Sequence, residues 1–488
     1  MVVNSYSFLI FFIIVFIGYY LPVSKTSSRY QNTWLLLSSY VFYGMADWRM
    51  ITLLLGATVV FWGLGLWLRS QMDAGHTRAA SRITTFGVVL GIGVLLYFKY
   101  LNFFVQSLAG LLQTIGLQVS WNTLHIILPI GVSFFTFKLI SYVIEIHREH
   151  IMPCRDLTEF AAYIAFFPTI LSGPIDRPDK FLRQMKQVHT LDYSLAADGC
   201  RQILWGMFTK MCIADNLAII TSDAWAGYQT QSSAMLIMAV LLYPIQLYAD
   251  FDGYSNMAIG VGKILGFRVA RNFNHPFLAR NIAECWRNWH MSLTSWITDY
   301  VFMPLNIAFR NFGSQGIMMA AMINMILIGL WHGANWTFAA FGLYHGLLFI
   351  PLILSGAFGK NKKLKANVHG LPFLKDFGKM ILTYLLFSVG LILFRAENIS
   401  QALAFLGGMV SNGFSAPVAI DSYGRLYILM ALMLLVIEWI QRKEEHGLQL
   451  QTYRLFRHQW VRFAFYLCII LLIITFTGKS QAFIYFQF

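Results

Sequence analysis

Long apolar segments separated by short polar stretches run through the chain and limit the solvents in which it can fold. A helix needs about 20 mostly apolar residues to cross a bilayer. The candidate segments are Ser7–Val23, Thr33–Tyr43, Ile51–Leu68, Thr85–Phe104, His125–Ile146, Phe160–Leu171, Ile203–Ile220, Ala234–Tyr248, Ile317–Leu330, Thr337–Leu354, Met380–Phe394, Leu426–Ile440 and Phe463–Phe476. Thr33–Tyr43 and Phe160–Leu171 are too short to cross directly, so we expect them to be tilted, interfacial or re-entrant. The pattern predicts an all-α, polytopic integral membrane protein with about 10 to 13 transmembrane or re-entrant helices.

The low charge content supports lipid as the main solvent. Only 12% of the residues are charged and 57% are hydrophobic, whereas soluble domains carry roughly 25% charged residues. In lipid, backbone polar groups must be paired within helices or a closed barrel, and long apolar runs favour helices over the roughly 10-residue strands of a barrel. Since no internal repeat is evident, we predict one membrane-embedded domain over residues 1–488.

The net charge of +14 indicates membrane topology rather than a nucleic-acid partner, because the basic residues form no long tract. Lys and Arg collect in the cytoplasmic loops of membrane proteins. The basic loop residues are Lys25, Arg29, Arg69, Arg78, Arg82, Arg177, Lys180, Arg183, Lys186, Lys360, Lys362, Lys363, Lys365, Lys375, Lys379, Arg442, Lys443, Arg454, Arg457 and Arg462. If these loops are cytoplasmic, the N-terminus and Tyr485 both lie on the extracytoplasmic side.

The strongest candidate for chemistry is His332 in Trp331-His332-Gly333. Residues 311–359 contain no Asp, Glu, Lys or Arg. In a helix that begins near Ile317, His332 would lie about 22 Å along the axis, deep in a lipid core that is roughly 30 Å thick. Burial disfavours the charged imidazolium, and a neutral imidazole can accept a proton from a hydroxyl as a general base. A hydrogen-bonded structural histidine is an equal alternative on these grounds.

A second cluster runs from Glu284 to Ser292 and is rich in aromatic residues. In a continuous helix, Arg287 and His290 share one face, while Trp286 and Trp289 share another. Such a helix could present a cation and an imidazole to a cavity, but the spacing alone favours an interfacial helix with aromatic anchors.

Three further polar residues in apolar surroundings, Asp250, Asp252 and His345, also have a structural explanation beside a functional one. Asp250 and Asp252 follow a predicted helix, and helix capping at a glycine turn is favoured over cation binding. Two carboxylates are too few for a metal site made only of protein ligands, so no metal is predicted. His345 could be a partner of His332 or serve the fold alone.

The sequence ends in the aromatic segment Phe483–Phe488, in which Tyr485 carries the single side-chain hydroxyl. Interfacial anchoring is the simpler explanation of such a segment. A phenolic hydroxyl beside a membrane could also accept an acyl group.

The chain resembles the membrane-bound O-acyltransferase family, in particular its alginate O-acetylation branch, which is related to the teichoic acid D-alanyltransferase. The motifs that carry the resemblance are Leu128–Phe137, Phe167–Pro174, Gln246–Gly260, Trp286–His290 and Trp331–Trp336. They define a core region over residues 128–340, and Trp34–Tyr43 agrees more loosely.

The resemblance implies a ring of tilted helices around a tunnel that crosses the membrane. It places the catalytic histidine of the family at His332 and a second tunnel histidine at His290. An F-x-Y-x-x-F acyl-shuttle motif of related export systems fits Phe483, Tyr485 and Phe488. The other candidates for the substrate tunnel are Arg287, Asn288, Trp331 and Asn335.

The implied reaction is O-acylation in the cytoplasmic membrane of a bacterium. The donor is expected to be acetyl-CoA or another acyl thioester, with no bound cofactor. His332 would activate the Tyr485 phenol, and an extracytoplasmic O-acetyltransferase partner would pass the acyl group to a cell-envelope polysaccharide. The alternatives are direct acetylation of the glycan in the tunnel, and a transporter or flippase with a polar cavity.

Overall fold

The computed structural model describes residues 3–21, 27–117, 126–359, 372–414, 420–451, 453–477 and 481. Within these ranges the chain forms helices and no β-strand, which confirms the all-α prediction. Nine helical segments in the described part are long and apolar enough to cross a membrane. Three of them, Ser28–Asp73, Thr77–Thr114 and Tyr193–Ala226, each contain two consecutive α-helices. Some predicted features lie outside the described residues. They are the end of a segment at Val23, the start of a segment at His125, the basic residues Lys25, Lys360, Lys362, Lys363 and Lys365, and the motif Phe483–Phe488 with Tyr485.

The described residues divide into two compact units, and the prediction of a single domain stays a prediction. The first unit comprises Met1–Cys200 and Ala258–Ala270. Its helices are α1 (Tyr6–Tyr19), α2 (Ser28–Asp47), α3 (Ile51–Asp73), α4 (Thr77–Leu95), α5 (Leu101–Thr114), α6 (Val132–His147), α7 (Leu157–Ala165), α8 (Pro178–Met185) and the first part of α9 (Tyr193–Met207).

The second unit comprises Arg201–Met257 and Arg271–Phe488. It contains the rest of α9, α10 (Asp215–Ala226), most of α11 (Ser233–Ile264), α12 (Ile282–Asn288), α13 (Met291–Ile297), α14 (Met303–Ala308), α15 (Gly313–His332), α16 (Trp336–Leu354), α17 (Leu374–Arg395), α18 (Ile399–Ser411), α19 (Ser422–Ile440) and α20 (Gln459–Phe476). Both histidines predicted to act in catalysis lie in this unit.

Helix α2 corrects the prediction that Thr33–Tyr43 is too short to cross. The helix runs over 20 residues because Gln31 and Asn32, near its start, are buried and donate to distant backbone groups. The Gln31 amide donates to the His189 carbonyl at 2.7 Å, and the Asn32 amide donates to the Met185 carbonyl at 2.8 Å. By contrast, α7 has nine residues and is too short to span lipid.

Helices α15 and α16 form a hairpin in which main chain meets main chain. A Cβ atom added at Gly329 would lie 2.1 Å from the Phe338 carbonyl oxygen, and one at Gly342 would lie 2.3 Å from the Met325 carbonyl oxygen. Small residues of this kind let membrane helices approach closely. The contact fixes α15 against α16 near the end of α15, where His332 lies.

The glycine contact predicts that Gly342→Ala destabilises the protein. The added methyl group has no space beside Met325, and overpacking of this kind costs roughly 1 to 3 kcal/mol. Thermal unfolding of the purified protein in lipid nanodiscs should show a lowered transition temperature. The control is Gly378→Ala in α17, where a Cβ atom meets nothing within 4 Å and the transition should stay unchanged or rise slightly. Equal transitions for the two variants would contradict this packing.

Candidate active site

His332 is the last residue of α15 and is buried, with 3% of its surface exposed. The helix begins at Gly313 rather than near Ile317, so the predicted position of the ring along the helix is corrected to its C-terminal end. Asn335 starts the next helix by accepting a hydrogen bond from the Thr337 backbone N–H at 3.1 Å. The short connection therefore places the imidazole at the turn of the α15–α16 hairpin.

Aromatic rings surround the His332 imidazole. The ring centroids that lie near it are those of Trp331 at 5.0 Å, Phe394 at 5.0 Å, Phe341 at 6.5 Å and His290 at 6.5 Å. Gly333 sits against a further ring, since a Cβ atom there would lie 2.1 Å from Phe338. The predicted close approach at Gly333 is therefore made by a side chain of the protein. The imidazole is therefore enclosed mainly by aromatic side chains.

His290 lies in a break between two short helices and packs against Trp331 and His332, and these rings form the histidine cluster. Its backbone is left-handed, with φ 44° and ψ 51°, an unusual conformation for a residue other than glycine. The ring is 1% exposed and lies 4.7 Å from the Phe251 ring and 5.6 Å from the Trp331 ring. Burial lowers the pKa of His290 to about 3, so its imidazole is neutral near pH 7.

The break corrects the prediction of a continuous helix over Glu284–Ser292. Helix α12 ends at Asn288 and α13 begins at Met291, so Arg287 and His290 do not share one helical face. The interfacial alternative is also wrong for the tryptophans, because Trp286 is 5% exposed and Trp289 is 3% exposed.

Asn272 stabilises the turn at His290, and the sequence analysis did not identify this residue. It is fully buried, and its backbone carbonyl oxygen accepts a hydrogen bond from the Met291 N–H at 2.7 Å. Its side-chain amide donates to the Ser255 hydroxyl at 2.9 Å and accepts from the Ser292 hydroxyl at 2.6 Å. Because Ser255 lies on α11 while Met291 and Ser292 begin α13, this network ties the residues that directly follow His290 to α11.

A cavity of about 410 Å³ is lined by residues of α12, α13 and α15, and neither His290 nor His332 is among its lining residues. Its wall includes Trp286, Arg287, Met291, Asn324 and Ile328. Met291 directly follows His290, and Ile328 lies one turn before His332 on α15, so the cavity borders both histidine-bearing segments. Of the four predicted tunnel residues, Arg287 lines this cavity.

The other three predicted tunnel residues have contacts elsewhere. Asn288 donates to the Glu284 carbonyl at 3.0 Å, and Asn335 donates to the Glu397 carbonyl at 2.7 Å. Trp331 packs beside both imidazoles. Their role in a tunnel stays a prediction.

His345 and the two aspartates have structural partners in this unit. His345 is fully buried and packs 4.6 Å from Phe341, the ring that also contacts His332. The predicted capping turn after Tyr248 is wrong, since α11 continues to Ile264. Asp250 instead pairs with Lys210 at 2.5 Å, and Asp252 accepts a hydrogen bond from Asn256 at 2.7 Å.

The chain matches known proteins over most of its length. Residues 148–366 match the family described as MBOAT, membrane-bound O-acyltransferase family. A Pseudomonas aeruginosa protein named "Probable alginate O-acetylase AlgI" is 39% identical over 419 residues, which are 85% of this chain and 75% of that protein. A Helicobacter pylori peptidoglycan O-acetyltransferase is 28% identical over 82% of this chain and 78% of its own length. A Streptococcus thermophilus teichoic acid D-alanyltransferase is 29% identical over 59% of this chain and 75% of its own length.

The chain therefore belongs to the membrane-bound O-acyltransferase family. It is a multi-pass membrane protein and an acyltransferase, which confirms the resemblance seen in the motifs. Membership of an enzyme family disfavours the transporter or flippase alternative.

The Asn272 network predicts that Asn272→Ala impairs both the fold and the site. The substitution leaves the buried hydroxyls of Ser255 and Ser292 without their amide partner, which costs roughly 1 to 3 kcal/mol. Displacement of His290 should lower kcat by about tenfold or more, since small misplacements at a reacting site have effects of this order. Thermal unfolding and acyl-transfer kinetics measure the two effects.

The matched control is Asn274→Ala, which removes a weaker, exposed amide contact of 3.4 Å to Asn288. It should change both quantities little. Wild-type kinetics in Asn272→Ala would show that the turn around His290 does not depend on this network.

Proposed function

We propose that the protein transfers an acyl group, most simply acetyl, from a cytoplasmic thioester to a hydroxyl acceptor, for O-acetylation of an extracytoplasmic cell-envelope polysaccharide. The observation that carries the proposal is the juxtaposition of two buried imidazoles, whose ring centroids are 6.5 Å apart. A cavity of about 410 Å³ is lined by Met291, next to His290, and by Ile328, one turn before His332. Family membership supplies the class of reaction.

The two histidines have different roles in the proposed reaction. His332 accepts the proton of the acceptor hydroxyl as its oxygen attacks the acyl carbon. The carbon–sulfur bond of the thioester then breaks, and the proton passes from His332 to the departing thiolate. His290, whose ring centroid lies 6.5 Å from that of His332, contacts the substrate as a tunnel residue. The donor is acetyl-CoA or another acyl thioester and acts as a substrate rather than a bound cofactor.

The class of acceptor follows from the relatives. The names of two of them specify O-acetylation of alginate and of peptidoglycan. The D-alanyltransferase matches less of this chain, 59% against 85% for the alginate protein. Acetyl is therefore favoured over D-alanyl, and the bacterial cytoplasmic membrane is the expected location.

Tyr485 is the proposed acyl relay, although it lies outside the described residues. A phenol, with a pKa of about 10, is easier to deprotonate than an alcohol. The resulting acyl-tyrosyl ester would pass to an extracytoplasmic O-acetyltransferase partner that modifies the polysaccharide. The relay moves an acetyl group across lipid without moving the charged coenzyme.

The general-base role predicts that His332→Ala lowers acetyl transfer by about 10²- to 10⁴-fold, the usual contribution of a positioned base. Purified protein in nanodiscs would be given acetyl-CoA labelled in the acetyl group, and label on protein and acceptor would be measured over time. His345→Gln is the matched control, because that buried imidazole is separated from His332 by Phe341. An unchanged rate in His332→Ala would rule out the proposed base.

The relay predicts that Tyr485→Phe abolishes the acetyl mass on the peptide that contains residues 483–488. Intact-mass analysis of that peptide after exposure to the donor measures the modification, with Tyr423→Phe as an exposed tyrosine control. If Tyr485→Phe cells still acetylate their envelope glycan fully, direct acetylation in the tunnel replaces the relay.

A further inference from the structure

A buried charge cluster lies where α9 joins α10. The junction Phe208–Ala214 is a π-helical turn, a local widening of the helix that is often found at functional positions. It carries Lys210, whose ammonium nitrogen lies 2.6 Å from an Asp215 carboxylate oxygen and 2.5 Å from one of Asp250. All three residues are at most 5% exposed. Burying charges is unfavourable unless each is well paired, so the cluster calls for an explanation beyond helix packing.

The chain that follows α20 reaches this cluster. The Lys210 ammonium donates a hydrogen bond to the Gln481 backbone carbonyl at 3.3 Å. The Gln481 backbone also hydrogen-bonds to the Asp215 carboxylate. Lys210 and Asp215 thus hold one residue of this segment by its main chain.

A neighbouring side chain holds the end of α20 itself. The Asn216 amide donates to the carbonyl of Phe476, the last residue of the helix, at 3.0 Å. Carbonyl groups at a helix end have no partner within the helix. Asn216 also donates to the Met211 and Cys212 carbonyls within the π-helical region, at 3.1 and 3.0 Å. Asn216 thus holds the end of α20 and Lys210 holds Gln481 beyond it, and both side chains come from adjoining turns around the α9–α10 junction.

The same cluster is linked to the candidate active site through α11. Asp250 belongs to the cluster, and the next residue, Phe251, packs its ring 4.7 Å from the His290 ring. Consecutive Cα atoms are about 3.8 Å apart. Tyr485 follows Gln481 by four residues, a span of at most about 14 Å.

We propose that Lys210, Asp215, Asp250 and Asn216 form an anchor, called here the segment anchor, which holds the chain after α20 beside the histidine cluster. These are positioning residues, since none of them contacts reacting atoms. The anchoring itself is independent of the reaction. Its purpose, to keep the Tyr485 phenol within reach of His332, rests on the proposed relay function.

Hydrogen–deuterium exchange of the full-length protein in nanodiscs tests the anchor without using the reaction. In Lys210→Met, peptides covering residues 477–488 should exchange about tenfold faster or more, because hydrogen bonds to a charged group are lost and exchange reports local opening. The matched control is Lys263→Met, which removes a largely buried ion pair with Asp198 at 2.7 Å that shares no residue with the anchor. It should leave exchange of 477–488 unchanged.

Asn216→Ala provides a second test that keeps the charges in place, and it decides the question if Lys210→Met does not fold. It should also speed exchange of residues 477–488, starting at the end of α20. If exchange of this segment stays at the wild-type rate while peptides of α9 and α10 exchange faster, the cluster only stabilises its own helices and the proposal is overturned.

Acetyl labelling of Tyr485 tests the purpose of the anchor. In Lys210→Met the rate of labelling should fall about tenfold, in step with the faster exchange. Normal labelling together with fast exchange would overturn the positioning role. Absence of label on Tyr485 even in the wild-type protein would overturn the relay, whereas the exchange experiment would still decide whether the anchor exists.

Discussion

The close contact between α15 and α16 is the constraint on which the candidate site depends. Gly329 and Gly342 bring main chain against main chain, so the hairpin has little freedom at the end where α15 stops. His332 is the last residue of that helix. A side chain at a helix end could be mobile and solvated, but here the hairpin and the rings of Trp331 and Phe394 hold it in an apolar enclosure.

The second imidazole is positioned by a different device. His290 has a left-handed backbone, and strained conformations of this kind cost about 1 to 3 kcal/mol and persist only where the surrounding structure fixes them. Asn272 supplies that support through three hydrogen bonds around the turn. One rigid hairpin and one strained turn thus bring together two histidines that are 42 residues apart in the sequence.

Much of the architecture could be predicted from the sequence because lipid leaves the backbone few options. Apolar segments such as Thr337–Leu354 became helices close to their predicted bounds, and the burial of His332 followed from its uncharged surroundings. The resemblance to the acyltransferase family, carried by short motifs, was likewise confirmed.

The features that could not be predicted depend on contacts between distant residues. The break before His290 is held by backbone hydrogen bonds, from Asn274 to Asn288 and from Met291 to Asn272, which the helical spacing of Glu284–Ser292 cannot show. Asp250 looked like a helix cap because its partner Lys210 lies 40 residues earlier. Such partners become visible only when the fold brings them together.

We propose that the acyl group reacts at the His332–His290 cluster. The most direct measurement is a structure of the protein bound to a stable thioether analogue of acetyl-CoA, in which the transferable carbonyl cannot be released. We expect this carbonyl to lie beside the two imidazoles, with room for an acceptor oxygen within about 3 Å of a His332 ring nitrogen. An analogue bound with its carbonyl more than about 10 Å from His332, beyond the reach of direct proton transfer, would contradict it.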